Sequence, residues 1–200
     1  MKKDYVSCFD LVNGTEKYRF VKAKSKNDFL VDDVMDLRSG GIRIGLDIGG
    51  GSGTFAAMMH GREKCNYCNI DTLNVDAPFN EFIAARGLFP MFFSLDQRFP
   101  FYDNVFDLVH VVDSLGERGC QEKIEFLMFD IDRVLRDGCL FWLDNFHCVD
   151  EEKKMTLTRK PEEYNRTKLA LTGFSGGRSC NLLLSMIVVV NYSSRIILYH

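Results

Sequence analysis

The stretch Leu46-Asp47-Ile48-Gly49-Gly50-Gly51-Ser52-Gly53 decides how the rest of the chain is read. It ends an apolar run, Ile42 to Ile48, on an acid and then breaks into glycines before Thr54 opens a segment with helical spacing. Glycine has no Cβ, so this backbone can pass close to a ligand, and the helix that follows presents unpaired N–H groups. Spacing separates the ligand classes. A dinucleotide site, as in a nucleotide-dependent oxidoreductase, wants glycine-x-glycine-x-x-glycine, and position 54 is threonine. Asp47, within reach of the loop, would repel a phosphate but suits a ligand carrying an ammonium and a sulfonium. A tight strand-to-helix turn with no ligand would use the same glycines.

On the N-terminal side, residues 1–27 are mixed and polar without a sustained period, and Asp28 to Leu37 has the spacing of a short amphipathic helix that covers one edge of the core. On the C-terminal side the helix Thr54 to His60 turns Phe55, Met58 and Met59 toward a sheet, and Gly61 is placed to close it in a left-handed conformation. A weak strand near Tyr67 to Asn74 follows, then a helix Pro78 to Arg86 with Phe79, Phe82 and Ile83 inward and Gly87 as its stop. Leu88 to Ser94, Phe106 to Val112 and Leu140 to Asp144 read as further strands. Ile124, Leu127, Met128, Ile131 and Leu135 fall at helical spacing before Asp137-Gly138. This alternation predicts an open α/β sheet, mostly parallel, with helices on both faces and ligands beyond the C-terminal strand ends. Lys168 to Thr172 and Leu182 to Val190, separated by Gly173, Gly176 and Gly177, predict a closing antiparallel hairpin. The count is about seven strands.

The 200 residues, 46% apolar, suit a single domain over 1–200: a covering segment 1–38, a core 39–150 and a hairpin region 151–200. A net charge of −3, without long runs of either sign, gives no footprint for nucleic acid, so a small-molecule or otherwise unidentified acceptor is expected. Seven scattered cysteines in a chain this long point to free thiols in a reducing compartment. The apolar run at Leu182 is half the roughly 20 residues of a membrane span, and the N-terminus has no signal-peptide core. A cytoplasmic protein without a membrane span is the default expectation. Cys65 and Cys68 form a lone pair without ligand-spaced partners, so no metal is expected.

Leu46 to Phe55 resembles the first motif of class I S-adenosylmethionine-dependent methyltransferases, which have a Rossmann-like fold. By that resemblance Gly49, Gly51 and Gly53 shape the floor for the methionine part of the cofactor S-adenosylmethionine, and Asp47 orients its amino group or water around it. Arg98-Phe99-Pro100-Phe101-Tyr102-Asp103-Asn104-Val105-Phe106-Asp107-Leu108-Val109-His110 is similar to the family's fourth-strand signature. There Pro100 fixes a loop beside the adenine and Asp103-Asn104 makes a turn. Arg133-Val134-Leu135-Arg136-Asp137-Gly138-Cys139-Leu140 resembles its helix-to-fifth-strand junction. Three signatures in order are far more specific than one. The wording of Gly41 to Gly45 and Thr72 to Asn80 is similar to a plant-type group, some of whose members are longer and carry an N-terminal membrane anchor.

The chain also departs from the pattern. Where class I enzymes end the second strand on an acid for the ribose hydroxyls, the matching residue is Asn74, which can accept a bond but brings no charge. Asp76 would share its face and substitute for it, or instead cap the Pro78 helix. Asp96 is the nearest acid for completing adenine recognition, and equally a solvated loop residue. His110, Asp113, Asp144 and His147 follow the fourth and fifth strands, where an acceptor would lie, and His110 ranks first as a general base because it is read as ending a strand at the ligand edge. Asn74, the irregular 62–71 stretch and the altered tail leave a second reading open, a fold-retaining binding or structural module without activity.

Overall fold

The computed structural model describes residues 13, 16–23, 29–37, 40–61, 66–70, 79–112, 121–148, 182–190 and 197–199. They fall into two compact units, Met1–Phe92 and Phe93–His200.

In the first unit, helix α1 (Val31–Asp36) is shorter than the predicted Asp28 to Leu37. It starts where the Asp33 carboxylate accepts the Leu30 N–H at 3.0 Å, satisfying one of the donors that a helix start leaves open. Val31 and Val34 are fully buried. Phe20, in a left-handed conformation at φ 61°, offers its carbonyl to the Val31 N–H and packs its ring edge-on against Phe55 at 5.3 Å. Part of the polar N-terminal stretch is thereby tied to the core.

Strand β1 (Ile44–Ile48) begins two residues later than predicted, with Leu46, Asp47 and Ile48 wholly buried. Continuous burial, rather than alternation, marks a strand covered on both faces. Helix α2 (Thr54–Gly61) buries Phe55, Ala56 and Met59. Gly61 is its last residue, not a stop beyond it. Strand β2 (Asn66–Ile70) pairs parallel with β1 from Ile44↔Asn66 to Ile48↔Ile70, so it lies earlier than the predicted Tyr67 to Asn74. Helix α3 (Phe79–Ala85) buries Phe79 and Ile83. Gly87 stops it as predicted: at φ 78° its N–H reaches the Ala84 carbonyl, and the Leu88 N–H reaches Ile83. Strand β3 (Phe89–Met91) is shorter than predicted and pairs parallel with β2, with Pro90 opposite Asn69.

In the second unit, strand β4 (Phe106–Val112) has its predicted bounds and is buried throughout. Helix α4 (Gln121–Val134) buries Ile124, Leu127, Met128 and Ile131. Strand β5 (Leu135–Cys148) follows without a break and runs far beyond the predicted Leu140 to Asp144. It pairs parallel with β4, and its register shifts between Phe106↔Leu135 and Leu108↔Leu140. Asp137-Gly138, expected to end the helix, lies inside that irregularity, with Gly138 at φ 72°. Strand β6 (Leu182–Val190) runs antiparallel to β5, and β7 (Ile197–Tyr199) runs antiparallel to β6. The first arm of the predicted hairpin, Lys168 to Thr172, lies outside the described residues. Among the described residues no helix is long and apolar enough to cross a membrane.

Candidate functional site

The glycine loop is shaped by backbone conformation. Asp47, the penultimate residue of β1, is fully buried, and beyond it Gly49, Gly51 and Gly53 sit at φ 75°, 55° and 70°. For any residue with a Cβ this left-handed region costs roughly 1–2 kcal/mol, so the alternation of glycines is what this path demands. The Gly53 N–H closes the turn on the Gly50 carbonyl at 2.9 Å, and the Ala57 N–H on Gly53 starts the helical ladder. Ser52 and Thr54, both buried, share a hydroxyl hydrogen bond at 3.0 Å. A Cβ built on Gly51 meets nothing within 4 Å. Gly51 therefore faces open space.

One side chain braces this loop from within the same unit. Arg86, just past α3, donates from Nη1 to the Ser52 carbonyl at 2.8 Å, and its guanidinium lies 5.3 Å from the centre of the Phe82 ring. Burial pushes its pKa below the ordinary arginine value, and the negative charge of Glu16 acts in the opposite direction.

In the second unit the turn Phe99 to Asp103 is shaped by side chains instead. Its residues alternate: Phe99 is buried and Phe101 half-buried, while Pro100 and Tyr102 are exposed. Phe101 meets Phe106 edge-on at 4.9 Å. The Arg133 guanidinium, at the end of α4, donates to the Phe99 carbonyl at 3.0 Å, the Phe101 carbonyl at 2.7 Å and Asp103 Oδ1 at 2.9 Å. Its Nε donates to Asp130 Oδ1 at 2.6 Å, and the other Asp130 oxygen accepts the Phe99 N–H. Burial alone would lower the pKa of Arg133, but its bonds to Asp130 and Asp103 outweigh that and raise it. The turn ends on Asn104, left-handed at φ 58°, whose N–H bonds the Arg133 carbonyl.

Arg136 extends the grip, donating to the Asn104 carbonyl at 2.9 Å and to the fully buried Asp107 at 2.8 Å. The fourth-strand signature and the helix-to-strand signature, separate in sequence, are thus one hydrogen-bonded assembly. Sequence reading did not anticipate the parts played by Arg86, Asp130 and Arg133. The one signal was a pair of arginines flanking apolar Val134 and Leu135 at a helix end.

The predicted site residues divide between the units, with Asp47, Gly49, Gly51 and Gly53 in the first and Asp96, Pro100 and His110 in the second. Asn74, Asp76 and Asp113 lie outside the described residues, as does Cys65. Asp96 is exposed and engaged by Ser94 and, at 3.0 Å, by Lys123. The Ser94 hydroxyl foremost, then Lys123, holds its carboxyl below the usual range. Pro100 stands on the exposed crest of its turn. His110 does not end its strand, because β4 runs on to Val112. Its imidazole is fully buried, 4.6 Å from the Trp142 ring, with Nε2 3.9 Å from Asp144 Oδ2. The Asp144 side chain is 18% exposed, so it is the member of this pair that reaches solvent. Among the described residues no group of three or more His, Cys, Asp or Glu could hold a metal ion.

Residues 12–168 match the family described as "Putative S-adenosyl-L-methionine-dependent methyltransferase". The chain belongs to this family. A relative from Arabidopsis thaliana, "Probable methyltransferase At1g29790", is 37% identical over 141 residues, covering 69% of this chain and 37% of the relative. The chain thus spans little more than a third of that relative's length. Similar solved structures include an S-adenosylmethionine-dependent methyltransferase from Mesorhizobium loti, 22% identical, covering 52% of this chain and 46% of that one with a TM-score of 0.42. Another is geranyl diphosphate C-methyltransferase from Streptomyces coelicolor, solved with Mg2+, geranyl diphosphate and S-adenosyl-L-homocysteine, at 15% identity, 50% and 37% coverage and a TM-score of 0.42.

The cofactor that the family's description names is S-adenosylmethionine. The glycine loop fits that group: a buried acid precedes it, its alternate glycines are left-handed, and the space beside Gly51 is open.

Proposed function

We propose that this chain binds S-adenosylmethionine against the glycine loop and methylates an acceptor that is a small molecule or an unidentified polymer. When bound, the cofactor supplies a methyl group on a sulfonium already activated by its positive charge. The protein's task is then to hold donor and acceptor in line and to exclude water. The observation that carries the reading is the left-handed path at Gly49, Gly51 and Gly53, directly after buried Asp47, beside space that a side chain would fill.

In this reading Gly49, Gly51 and Gly53 form the floor under the methionine end and Asp47 orients its amino group or a water beside it. Asn74, with Asp76 as its substitute, takes the ribose hydroxyls. Pro100 lies on the adenine side with Asp96 as the completing acid. A hydroxyl or amine acceptor must give up a proton, and we assign that proton to His110 acting with Asp144. Asp144 is part-exposed and the imidazole is buried, so the proton reaches His110 through Asp144 and one bridging water, the 3.9 Å between them being too wide for direct transfer. The same reading takes residues 1–200 as one methyltransferase-like domain of about seven strands with an antiparallel C-terminal pair.

Calorimetric titration with S-adenosylhomocysteine tests it. Micromolar affinity is expected. No detectable heat with folded protein, or a preference for a nicotinamide cofactor, would sink the assignment.

A further inference from the structure

The Phe99 to Asp103 turn is fastened to the helix that follows it in the chain far more densely than an ordinary surface turn. A guanidinium is planar, and its donors form a rigid fork, so one arginine can fix several acceptors in one relative geometry. Arg133 uses that fork on two carbonyls and one carboxylate of the turn, while Asp130 holds both the fork and the Phe99 N–H. Phe101 packs behind on Phe106, and the Asn104 and Val105 N–H groups bond the carbonyls of Arg133 and Val134. With Phe99 and Phe101 drawn inward, Pro100 and Tyr102 are the residues presented outward; Tyr102 is 89% exposed.

We propose that Arg133, locked by Asp130, is a positioning residue for cofactor binding: it presets the Phe99 to Asp103 turn so that Pro100 and Tyr102 meet the adenosine end without prior ordering. This rests on the assignment of that turn to the adenine side made above. A preset turn spares the ligand the cost of immobilising it, so loosening the grip weakens binding without removing a single ligand contact. Lysine in place of Arg133 keeps the charge but is a point donor, unable to span the same acceptors.

The test compares two probes, S-adenosylhomocysteine and 5′-methylthioadenosine, which carries adenine and ribose without the amino-acid end. Arg133→Lys is expected to weaken both by about tenfold, whereas Gly51→Ala weakens S-adenosylhomocysteine and leaves methylthioadenosine within about twofold. A role confined to general stability would not produce that split. Should Arg133→Lys fail to fold, Asp103→Asn serves: its side chain is 49% exposed, and removing its charge loosens one arm of the fork, with about threefold weaker methylthioadenosine binding expected. Unchanged methylthioadenosine affinity in a folded Arg133→Lys or Asp103→Asn protein overturns the inference alone. Failure of the unmodified protein to bind S-adenosylhomocysteine overturns the functional reading and this inference with it.

Discussion

The glycine loop and the Phe99 to Asp103 turn are both tight connections, and they are built by opposite means. The first gets its shape from backbone freedom at Gly49, Gly51 and Gly53, with one long-range brace from Arg86 to the Ser52 carbonyl. The second contains no glycine and gets its shape from Asp130, Arg133 and Arg136, about thirty residues downstream. A loop shaped by its own residues is sensitive to local substitution. A loop shaped by distant side chains is sensitive to changes outside itself.

The largest effect on stability is expected from Asp130→Ala, which strips Arg133 of its closest carboxylate and the Phe99 N–H of its acceptor. Removing one partner of such a buried group costs about 3 kcal/mol, readable by urea denaturation. A cost under about 1 kcal/mol would show that the turn does not depend on the grip.

Gly51→Val comes next. A β-branched residue at φ 55° should cost about 2 kcal/mol by the same measurement and abolish S-adenosylhomocysteine binding, because its side chain would enter the open space. Retained affinity would show that the loop does not approach the ligand. Arg86→Ala should cost only about 1 kcal/mol, because one half-buried hydrogen bond is lost while the glycines keep their path. If it proves as damaging as Asp130→Ala, the contrast between the two connections fails.

The smallest effect is expected from Lys123→Ala. Its ion pair with Asp96 is exposed, so the thermal midpoint should not move measurably. The Asp96 carboxyl should nonetheless titrate higher, toward the ordinary aspartate value, in a carbon-detected NMR titration. Because its pKa is depressed in the folded state, any stabilisation from Asp96 is present above the unfolded-state pKa of about 3.9 and is lost as pH falls through the folded value.

The same contrast explains what could be read from the residues alone. The strand, the glycine loop, helix α2 and the stop at Gly87 are specified by short-range rules, and all were legible, with strand starts displaced by a few residues. The length of β5 was not. Asp137-Gly138 has the wording of a turn, and the register with β4 does shift there, but the strand pairs with β6 from Cys139 and with β4 again from Leu140. Likewise Pro100 and Asp107 were noticed as signature residues, whereas the reason for their company is a set of bonds to the end of α4 and the start of β5 that no local spacing encodes. His110 was read as ending a strand at the ligand edge. The strand absorbs it beside Trp142 and continues.

Pro90 has a bearing on how this protein behaves in solution. It occupies the middle of β3, whose only described partner is β2, and next to it Phe89 is 72% exposed. A greasy outer strand of this kind invites a neighbouring molecule to add its own strand, yet proline offers no amide hydrogen for such stacking. Replacing it with valine should leave the fold intact by circular dichroism while making concentrated samples cloud sooner.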